Sequence, residues 1–387
     1  MKNTKYVIVL FLVISFVFLI GCAQTANTVK EQAKEPIKIG FIAPLSGPAA
    51  SWGETELDSV KMAVDEINSK GGVIGRNFEI IAEDGKCTGK DATTAAQKLV
   101  NIDGVKIILG GTCSSETLAI GPITEAGKVI VMTGISSNPQ ISDLGEYIFR
   151  LTPTDEDFFR PEARYYHDVL GYKKVSLMLE NTDYCLSGKD AFVDEFRKLG
   201  GEVDIQIVNP DEKDYRTYIT KMKTKNPEAV VLLPQSALTG GLMAKQVREI
   251  WSDIMILGSY SMESKECIEA AAGAMEGSYI FSIASDVPTA REVNNRYKAT
   301  YGKDAMDPFL CAQGWDRTFI AKQAIEYCQG LDTECMKNYI YSTEFDLSLG
   351  KYTFNSEGDI KVFYVGVYHV ENGTSVPIEP YRKIVKE

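Results

Sequence analysis

Serine residues are concentrated in two short segments of the chain, where their hydroxyl groups could hold a carboxylate. Ser114 and Ser115 follow one apolar run, and Ser136 and Ser137 follow the next. In open α/β sheets, ligands bind in the loops at the carboxyl ends of strands. Ser114 and Ser115 also open a predicted helix, whose free N–H groups and dipole favour an anion. We therefore interpret the two loops together as a carboxylate-binding site, whereas for Ser114 or Ser115 alone a helix cap is the better explanation.

The chain carries few residues of the types that enzymes use. His167 and His369 are its only histidines, and neither has Cys or carboxylate neighbours at metal-ligand spacing. We interpret His167 as a surface histidine on a helix. The segment GGVIG (71–75) follows a predicted helix rather than a strand, so it indicates a turn and not a phosphate cradle. We expect no enzyme, no metal and no cofactor; a hydrolase with Ser114 as nucleophile is disfavoured because no histidine lies near it in sequence.

Apolar strands alternate with amphipathic helices along most of the chain. Each strand–helix–strand step crosses over right-handedly, which predicts open parallel sheets with helices on both faces. The 387 residues exceed the roughly 250–300 at which one core stops growing, so we expect two domains. The predicted strands lie at 37–43, 77–84, 105–111, 128–133, 173–180, 202–208, 229–234, 254–259 and 361–370.

The N-terminal segment is typical of an exported lipoprotein. Lys2 and Lys5 precede a 15-residue apolar run, which is shorter than the about 20 residues of a membrane span. The run ends in a Leu-Ile-Gly-Cys sequence that resembles a bacterial lipobox. We therefore expect residues 1–21 to be a signal peptide, Cys22 to carry the lipid, and residues 22–36 to form a flexible tether. The alternative is an uncleaved N-terminal helix.

Charge and cysteine content agree with an extracytoplasmic protein. The net charge of −12 is poorly suited to binding nucleic acid. No other segment is long and apolar enough to span a bilayer, so we expect membrane attachment through the lipid only. Eight cysteines are common in an oxidising compartment.

Several motifs together resemble the leucine/isoleucine/valine-binding family. They are APLSGPAASWGE, INSKGGVIGR, EDGKC with GGTCSSETLA, ISSNPQISDLGEYIFR and ENTDY. That family comprises solute receptors of ABC importers with the type I periplasmic-binding-protein fold. The resemblance implies two α/β lobes joined by three crossings, with ABC permease and ATPase subunits as partners of a monomeric receptor. It places lobe 1 at 37–153 plus 284–348 and lobe 2 at 154–283 plus 349–387.

The resemblance also implies roles for individual residues. Ser114 would hydrogen-bond the ligand carboxylate, and Ser137 would add its hydroxyl and N–H. Ser136 would offer its backbone carbonyl to an ammonium group. Trp52, in what we interpret as a loop, and Tyr184 would form the walls, since aromatic rings offer apolar area and a face for a cation.

One departure from the family concerns the ammonium group. Tyr260, which we expect in the binding site, stands where family members that bind branched-chain amino acids have an acid. A buried ammonium without a counter-charge is costly. Either Glu180 or Asp183 substitutes for that acid, with Glu263 as a further candidate that we expect to face water, or the ligand is not a standard α-amino acid. Aliphatic amides, urea-like compounds and aromatic acids are bound by relatives.

The resemblance further implies a disulfide between Cys87 and Cys113. Cys328 and Cys335 flank a predicted helix–helix turn and indicate a second one. No pairing is predicted for Cys185, Cys267 and Cys311.

The leading hypothesis is capture of an amino acid or related metabolite for an ABC importer by hinge closure. The alternative is a ligand-sensing receptor module of the same fold that binds an amide or an aromatic acid.

Overall fold

The computed structural model describes residues 35–283, 288–378 and 382–385. The predicted signal peptide, the lipid-modified Cys22 and all of the predicted tether except Glu35 and Pro36 lie outside these residues. None of the helices within them has both the length and the apolar character that a membrane crossing requires. The same residues contain no cluster of His, Cys, Asp and Glu that could hold a metal ion.

The first sheet contains five strands that are all parallel. Its strands are β1 (Ile37–Ala43), β2 (Phe78–Asp84), β3 (Ile107–Gly110), β4 (Ile130–Thr133) and β5 (Ile148–Arg150). Their order is β2-β1-β3-β4-β5. The connecting helices are α1 (Ala50–Ser69), α2 (Gly89–Asn101) and α3 (Ser114–Ala126). Strands β3 and β4 are buried at every residue, as expected for parallel strands that are covered on both faces.

The second sheet is larger and mixed. Its strands are β6 (Lys174–Glu180), β7 (Glu202–Val208), β8 (Ala229–Leu233), β9 (Met255–Gly258), β10 (Tyr279–Ile283), β13 (Val362–Glu371), β14 (Thr374–Pro377) and β15 (Arg382–Val385). Strands β6 to β10 are parallel, whereas β13 runs antiparallel to β10 and pairs with both β14 and β15. The helices that connect its parallel part are α4 (Asp155–Arg164), α5 (Asp183–Lys198), α6 (Arg216–Thr224), α7 (Ala237–Ile250) and α8 (Lys265–Ala270).

Three helices follow the second sheet in sequence but belong to the first by packing. They are α9 (Pro288–Tyr301), α10 (Pro308–Cys328) and α11 (Thr333–Ser342), and the short hairpin β11 (Phe345–Leu347) and β12 (Gly350–Tyr352) comes after them. Helices α9 and α10 pack against α1. The chain therefore returns from the second sheet to the first before it enters β13. The fold confirms the predicted α/β class with two open, mostly parallel sheets.

Two local predictions were wrong. Trp52 lies in the first turn of α1 rather than in a loop. His167 is buried, not on the surface: it lies in a π-helical segment that follows α4, and its ring packs edge-on against Phe196. The burial of His167 accompanies the packing of this segment against Phe196 of α5.

The cysteines pair as expected. Disulfides join Cys87 to Cys113 and Cys328 to Cys335. The three remaining cysteines of the described residues are buried thiols, namely Cys185, Cys267 and Cys311.

Candidate ligand-binding site

A cavity lies where the carboxyl ends of strands from both sheets meet. It contains about 440 Å³ of space not filled by atoms, a figure that includes open solvent. Five of the six predicted ligand-binding residues line it, and Ser136 does not. The lining residues are Trp52, Thr112, Cys113, Ser114, Ile135, Ser137, Thr152, Pro153, Asp155, Phe158, Phe159, Tyr184, Gln235, Tyr260 and Ile283.

Ser114 and Ser137 form a polar end of the cavity. Ser114 is the first residue of α3, and its Oγ accepts hydrogen bonds from the N–H groups of Ser137 (3.2 Å) and Asn138 (3.3 Å). No described residue accepts the Ser114 hydroxyl proton, so that proton is available to a ligand. A hydroxyl donor at a helix N-terminus is suited to a carboxylate.

Glu116 holds the loop that precedes Ser114. This carboxyl is fully buried and accepts hydrogen bonds from the N–H groups of Cys87 (2.9 Å), Thr112 (2.9 Å) and Cys113 (3.0 Å). Burial raises the pKa of Glu116 to about 7, an effect that the three N–H groups oppose. Together with the Cys87–Cys113 disulfide, Glu116 fixes the backbone beside the polar end of the cavity.

Replacing Glu116 by leucine is expected to lower the free energy of unfolding by roughly 2–4 kcal/mol, because two buried N–H groups and one half-buried N–H group lose their acceptor. Urea denaturation of the two proteins measures the difference. Glu326→Leu is the control, since Glu326 is half-exposed and pairs only with Lys322 on the same helix. That control is expected to change stability by less than about 1 kcal/mol. Equal effects of the two substitutions would contradict the assigned role of Glu116.

The Ser136 hydroxyl points away from the cavity. It is fully buried, donates to the carbonyl of Gly111 (2.6 Å) and lies 2.7 Å from the Thr117 hydroxyl. Its side chain therefore ties the loop after β4 to the loop after β3. The expectation that the Ser136 hydroxyl helps to bind the carboxylate is therefore corrected. Only the backbone carbonyl of Ser136 remains a candidate ligand contact.

Aromatic rings form most of the remaining walls. Trp52 comes from α1, and its ring centroid lies 6.4 Å from that of Tyr260, which follows β9. Tyr184, in the first turn of α5, lies 5.9 Å from Phe159. The Tyr184 hydroxyl is buried and makes no hydrogen bond to a described residue. The walls are therefore largely apolar, with one buried hydroxyl that a ligand could satisfy.

Asp155 is a functional candidate that the sequence analysis missed. It is fully buried and begins α4, and its N–H donates to the carbonyl of Ser137 (2.8 Å). Its Oδ2 accepts a hydrogen bond from the Ser187 hydroxyl, whereas Oδ1 makes no hydrogen bond to a described residue. Burial raises the pKa of Asp155 to about 6, an effect opposed by the hydroxyls of Ser137 and Ser187 and by the charge of Arg150. At neutral pH the cavity thus contains an ionised carboxylate with a free oxygen.

None of the three acids considered from the sequence lines this cavity. Glu180 is buried and accepts the N–H of Gln235 (2.6 Å), and its burial raises its pKa to about 7. Asp183 is exposed. Glu263 is half-buried rather than water-facing and accepts the Ser282 hydroxyl. The structure therefore offers Asp155 in their place.

Comparison with known proteins assigns the chain to a family. A sequence model of the periplasmic binding protein family matches residues 36–374. The chain belongs to this family. It is similar to the Leu/Ile/Val-binding protein of Escherichia coli (strain K12), with 26% identity over 364 residues that cover 92% of this chain and 97% of that protein.

Solved structures agree on the fold. A leucine-binding protein of Thermotoga maritima is 25% identical with a TM-score of 0.82, covering 90% of this chain and 99% of that one. A solute-binding protein of an ABC transporter from Rhodopseudomonas palustris BisB5, in complex with 3,4-dihydroxybenzoic acid, is 20% identical with a TM-score of 0.81. That second match covers 91% of this chain and 98% of the other, and at its identity it shows the fold alone.

Proposed function

We propose that this protein is the extracytoplasmic solute-binding component of an ABC importer and that it captures a small α-amino acid. The observation that carries the proposal is the pairing of two opposite polar groups in one cavity. Hydroxyl and N–H donors of Ser114 and Ser137 stand at one end, and the carboxylate of Asp155 stands beside them. A zwitterionic amino acid carries a carboxylate for the serine donors and an ammonium group for Asp155. Relatives named for leucine, isoleucine and valine support this ligand class.

The ligand carboxylate would bind at the polar end of the cavity. The Ser114 hydroxyl donates its free proton to one oxygen, while the Ser137 hydroxyl, which makes no hydrogen bond to a described residue, is offered to the other. The fixed backbone beside Ser114 limits the entropy lost on binding, because the donors are already in place. Hydrogen bonds to a charged acceptor are about twice as strong as neutral ones.

The ligand ammonium would bind Asp155 and the carbonyl of Ser136. Without a ligand, a buried ionised carboxylate with a free oxygen is costly. An ammonium at Oδ1 removes that cost, and Asp155 in turn supplies the negative counter-charge that Tyr260 does not. This interaction favours amino acids over acids that lack an amino group.

The ligand side chain would lie against the aromatic walls. The cavity is lined by the apolar surfaces of Trp52, Phe158 and Tyr184. These surfaces would shield an aliphatic side chain from water. A branched aliphatic amino acid therefore suits these walls better than a charged one.

Binding would be completed by closure of two lobes, 37–153 plus 284–348 and 154–283 plus 349–387. Contacts between α1 and α8, and between the loop after β4 and α5, support closure. The Ser51 hydroxyl donates to Glu266 (2.7 Å), and the Asn138 side chain donates to the carbonyl of Asp183 (3.0 Å). A ligand favours the closed state only through contacts with both lobes. Ser114 with Ser137 and Asp155 with Tyr184 provide the two sides.

Isothermal titration with a panel of amino acids and aromatic acids tests the proposal. The mature protein is expected to bind at least one small aliphatic amino acid and to show no heat with benzoate or 4-hydroxybenzoate. Ser114→Ala is expected to weaken that binding by roughly tenfold or more, because a hydrogen bond to a charged group is lost. Absence of binding to every amino acid in the panel would contradict the proposal.

Affinity for an amino acid is expected to fall as pH falls through about 6. The ammonium pairs with the ionised form of Asp155, whose pKa burial raises to about 6, so protonation competes with the ligand. Below that pH, affinity should decrease by up to about tenfold per unit, and above pH 7 it should be constant. Titrations at several pH values between 5 and 8 measure this profile.

Asp155→Asn is the control for the pH profile, because asparagine does not titrate. Its profile should be flat in the same interval. A wild-type affinity that rises on acidification would show the opposite linkage, with binding favoured by protonated Asp155. That sign would favour an aromatic acid or another ligand without an ammonium group.

The second candidate is a receptor module for an aromatic acid. The aromatic walls favour it, because a planar ring could stack between Trp52 and Tyr184 while its carboxylate binds Ser114. The free Asp155 carboxylate disfavours it, since two negative groups would share one cavity. The titration panel and the sign of the pH dependence separate the two.

Attachment to the membrane through Cys22 completes the proposal. The family supports an extracytoplasmic location, and the N-terminal sequence supports a lipid-anchored monomer that delivers its ligand to a permease. Mass spectrometry of the mature N-terminus tests this part, since a diacylglyceryl modification on Cys22 is expected. An unmodified Cys22 or a retained segment 1–21 would contradict it.

A further inference from the structure

A crevice adjoins the ligand cavity on the far side of Tyr260. It contains about 870 Å³ of atom-free space and opens to the surface beside the exposed residues Lys265, Pro308 and Gly373. Tyr260 and Ile283 line both the cavity and the crevice. The two spaces are therefore neighbours with a shared wall.

The Tyr260 side chain is held at its ring and at its hydroxyl. The ring lies between Trp52, at 6.4 Å between centroids, and Phe309, at 6.2 Å and edge-on. The hydroxyl donates to Asp307. These contacts leave the ring little freedom to move while both of its neighbours are in place.

Asp307 is itself fixed. It caps α10, and its Oδ1 accepts the N–H groups of Phe309 (2.8 Å) and Leu310 (3.0 Å). Its other oxygen, Oδ2, is thereby directed to Tyr260. The helix cap and the tyrosine hydroxyl form one rigid arrangement. Tyr260 and Asp307 are 47 positions apart in the sequence.

We infer that Tyr260, anchored by Asp307, is a specificity determinant that limits the length of the ligand side chain by separating the cavity from the crevice. This inference rests on the proposed amino-acid ligand. A side chain that reaches the ring must displace it and break its hydrogen bond to Asp307. A shorter side chain meets an intact wall.

The chemistry of the crevice predicts what its opening would admit. Glu263 and Asp307 both line it, and Asp307 loses its hydroxyl partner when Tyr260 is removed. The ammonium of Lys265, which also lines the crevice, lies 3.6 Å from Glu269 on its own helix. A long ligand side chain that ends in a cation would therefore find the Asp307 side chain, without its hydroxyl partner, and the carboxyl group of Glu263 in the opened space.

Isothermal titration with a straight-chain series tests the inference. The probes are alanine, 2-aminobutyrate, norvaline, norleucine and lysine. In the wild-type protein, affinity is expected to fall by roughly tenfold or more at the methylene that first meets the ring. Tyr260→Ala should move that step to a longer side chain and improve lysine binding by about tenfold or more relative to alanine. Tyr260→Phe, which keeps the ring and loses the hydroxyl, should keep the step at the wild-type length.

Two results would overturn the inference: an unchanged step in Tyr260→Ala, or an equal displacement of the step in Tyr260→Phe. Thermal melts show whether the variants fold, and Tyr260→Leu replaces the alanine variant if that one does not, with the same criteria. A wild-type protein that binds no member of the series would instead contradict the proposed function. The two failures are thus distinguishable.

Discussion

Replacement of Asp155 by asparagine is expected to weaken amino-acid binding by roughly 30- to 3,000-fold, because it removes one partner of a buried charge pair. The substitution conserves size, and the Ser187 hydroxyl retains an oxygen acceptor. The loss should appear mainly as a faster dissociation rate. Isothermal titration and stopped-flow dissociation measure both quantities.

The same substitution is expected to leave the ligand-free protein as stable as the wild type or more stable. A buried ionised carboxylate with a free oxygen is costly, and the neutral amide lowers that cost. Opposite effects on affinity and stability distinguish a ligand-binding acid from a structural one. A structural acid would lose stability when replaced.

Asp183→Asn is the matched control. Asp183 is an acid in the first turn of the neighbouring helix α5, but it is exposed and its side chain does not line the cavity. Its replacement is expected to change affinity by less than about threefold, as is usual for an exposed charge. Comparable losses in the two variants would contradict the assignment of the ammonium site to Asp155.

Replacement of Arg150 by leucine is expected to lower the free energy of unfolding by roughly 3–5 kcal/mol, because it leaves a buried carboxylate without its partner. Arg150 and Asp359 are both buried, and Nη2 of Arg150 lies 2.6 Å from Asp359 Oδ1. The guanidinium also donates to the carbonyl of Asn138 (2.7 Å) and the Ser142 hydroxyl (2.6 Å). Urea denaturation measures the loss.

The replacement of Arg150 should also affect the ligand-binding site, because of the contacts that Arg150 makes. Backbone hydrogen bonds join it to Gly358 and Ile360, so the end of β5 is tied to the chain segment that leads into β13. Its contact with Asn138 supports the loop that carries Ser137. Ligand affinity should therefore fall together with stability.

Arg216→Leu is the control for this prediction. Arg216 is exposed and pairs with Asp214 and Glu249. Its replacement is expected to cost less than about 1 kcal/mol. A loss of that size for Arg150→Leu would show that the buried pair with Asp359 contributes little to stability.

Local sequence patterns were sufficient to predict the two sheets and the serines at the polar end of the cavity. Short apolar runs predicted the buried strands, because parallel strands covered on both faces are apolar throughout. The serines after β3 and β4 were found because strand-end loops meet at one edge of a sheet. Ser114 and Ser137 accordingly line the cavity.

Asp155 escaped the sequence analysis although it carried a usable signal. It follows the carboxyl end of β5 by five residues, as the serines follow β3 and β4. No strand was predicted at 148–150, so the strand-end rule was not applied to the segment that carries Asp155. Applying the strand-end rule to β5 as well would have found this acid.

Other features depend on long-range packing that no local pattern marks. The partners Tyr260 and Asp307 are 47 residues apart, and the burial of His167 follows from a π-helical segment packed against α5. The position of Trp52 was missed because the flanking Ser51 and Gly53 indicated a loop. Helix ends are the least certain part of any such interpretation.

A crystal structure of the protein with the best amino acid from the titration panel decides between the two ligand classes. The ligand ammonium is predicted within about 3 Å of Asp155 Oδ1, and its carboxylate at hydrogen-bonding distance from the hydroxyls of Ser114 and Ser137. A ligand bound in this cavity with its amino group away from Asp155, or bound elsewhere on the protein, would contradict that prediction.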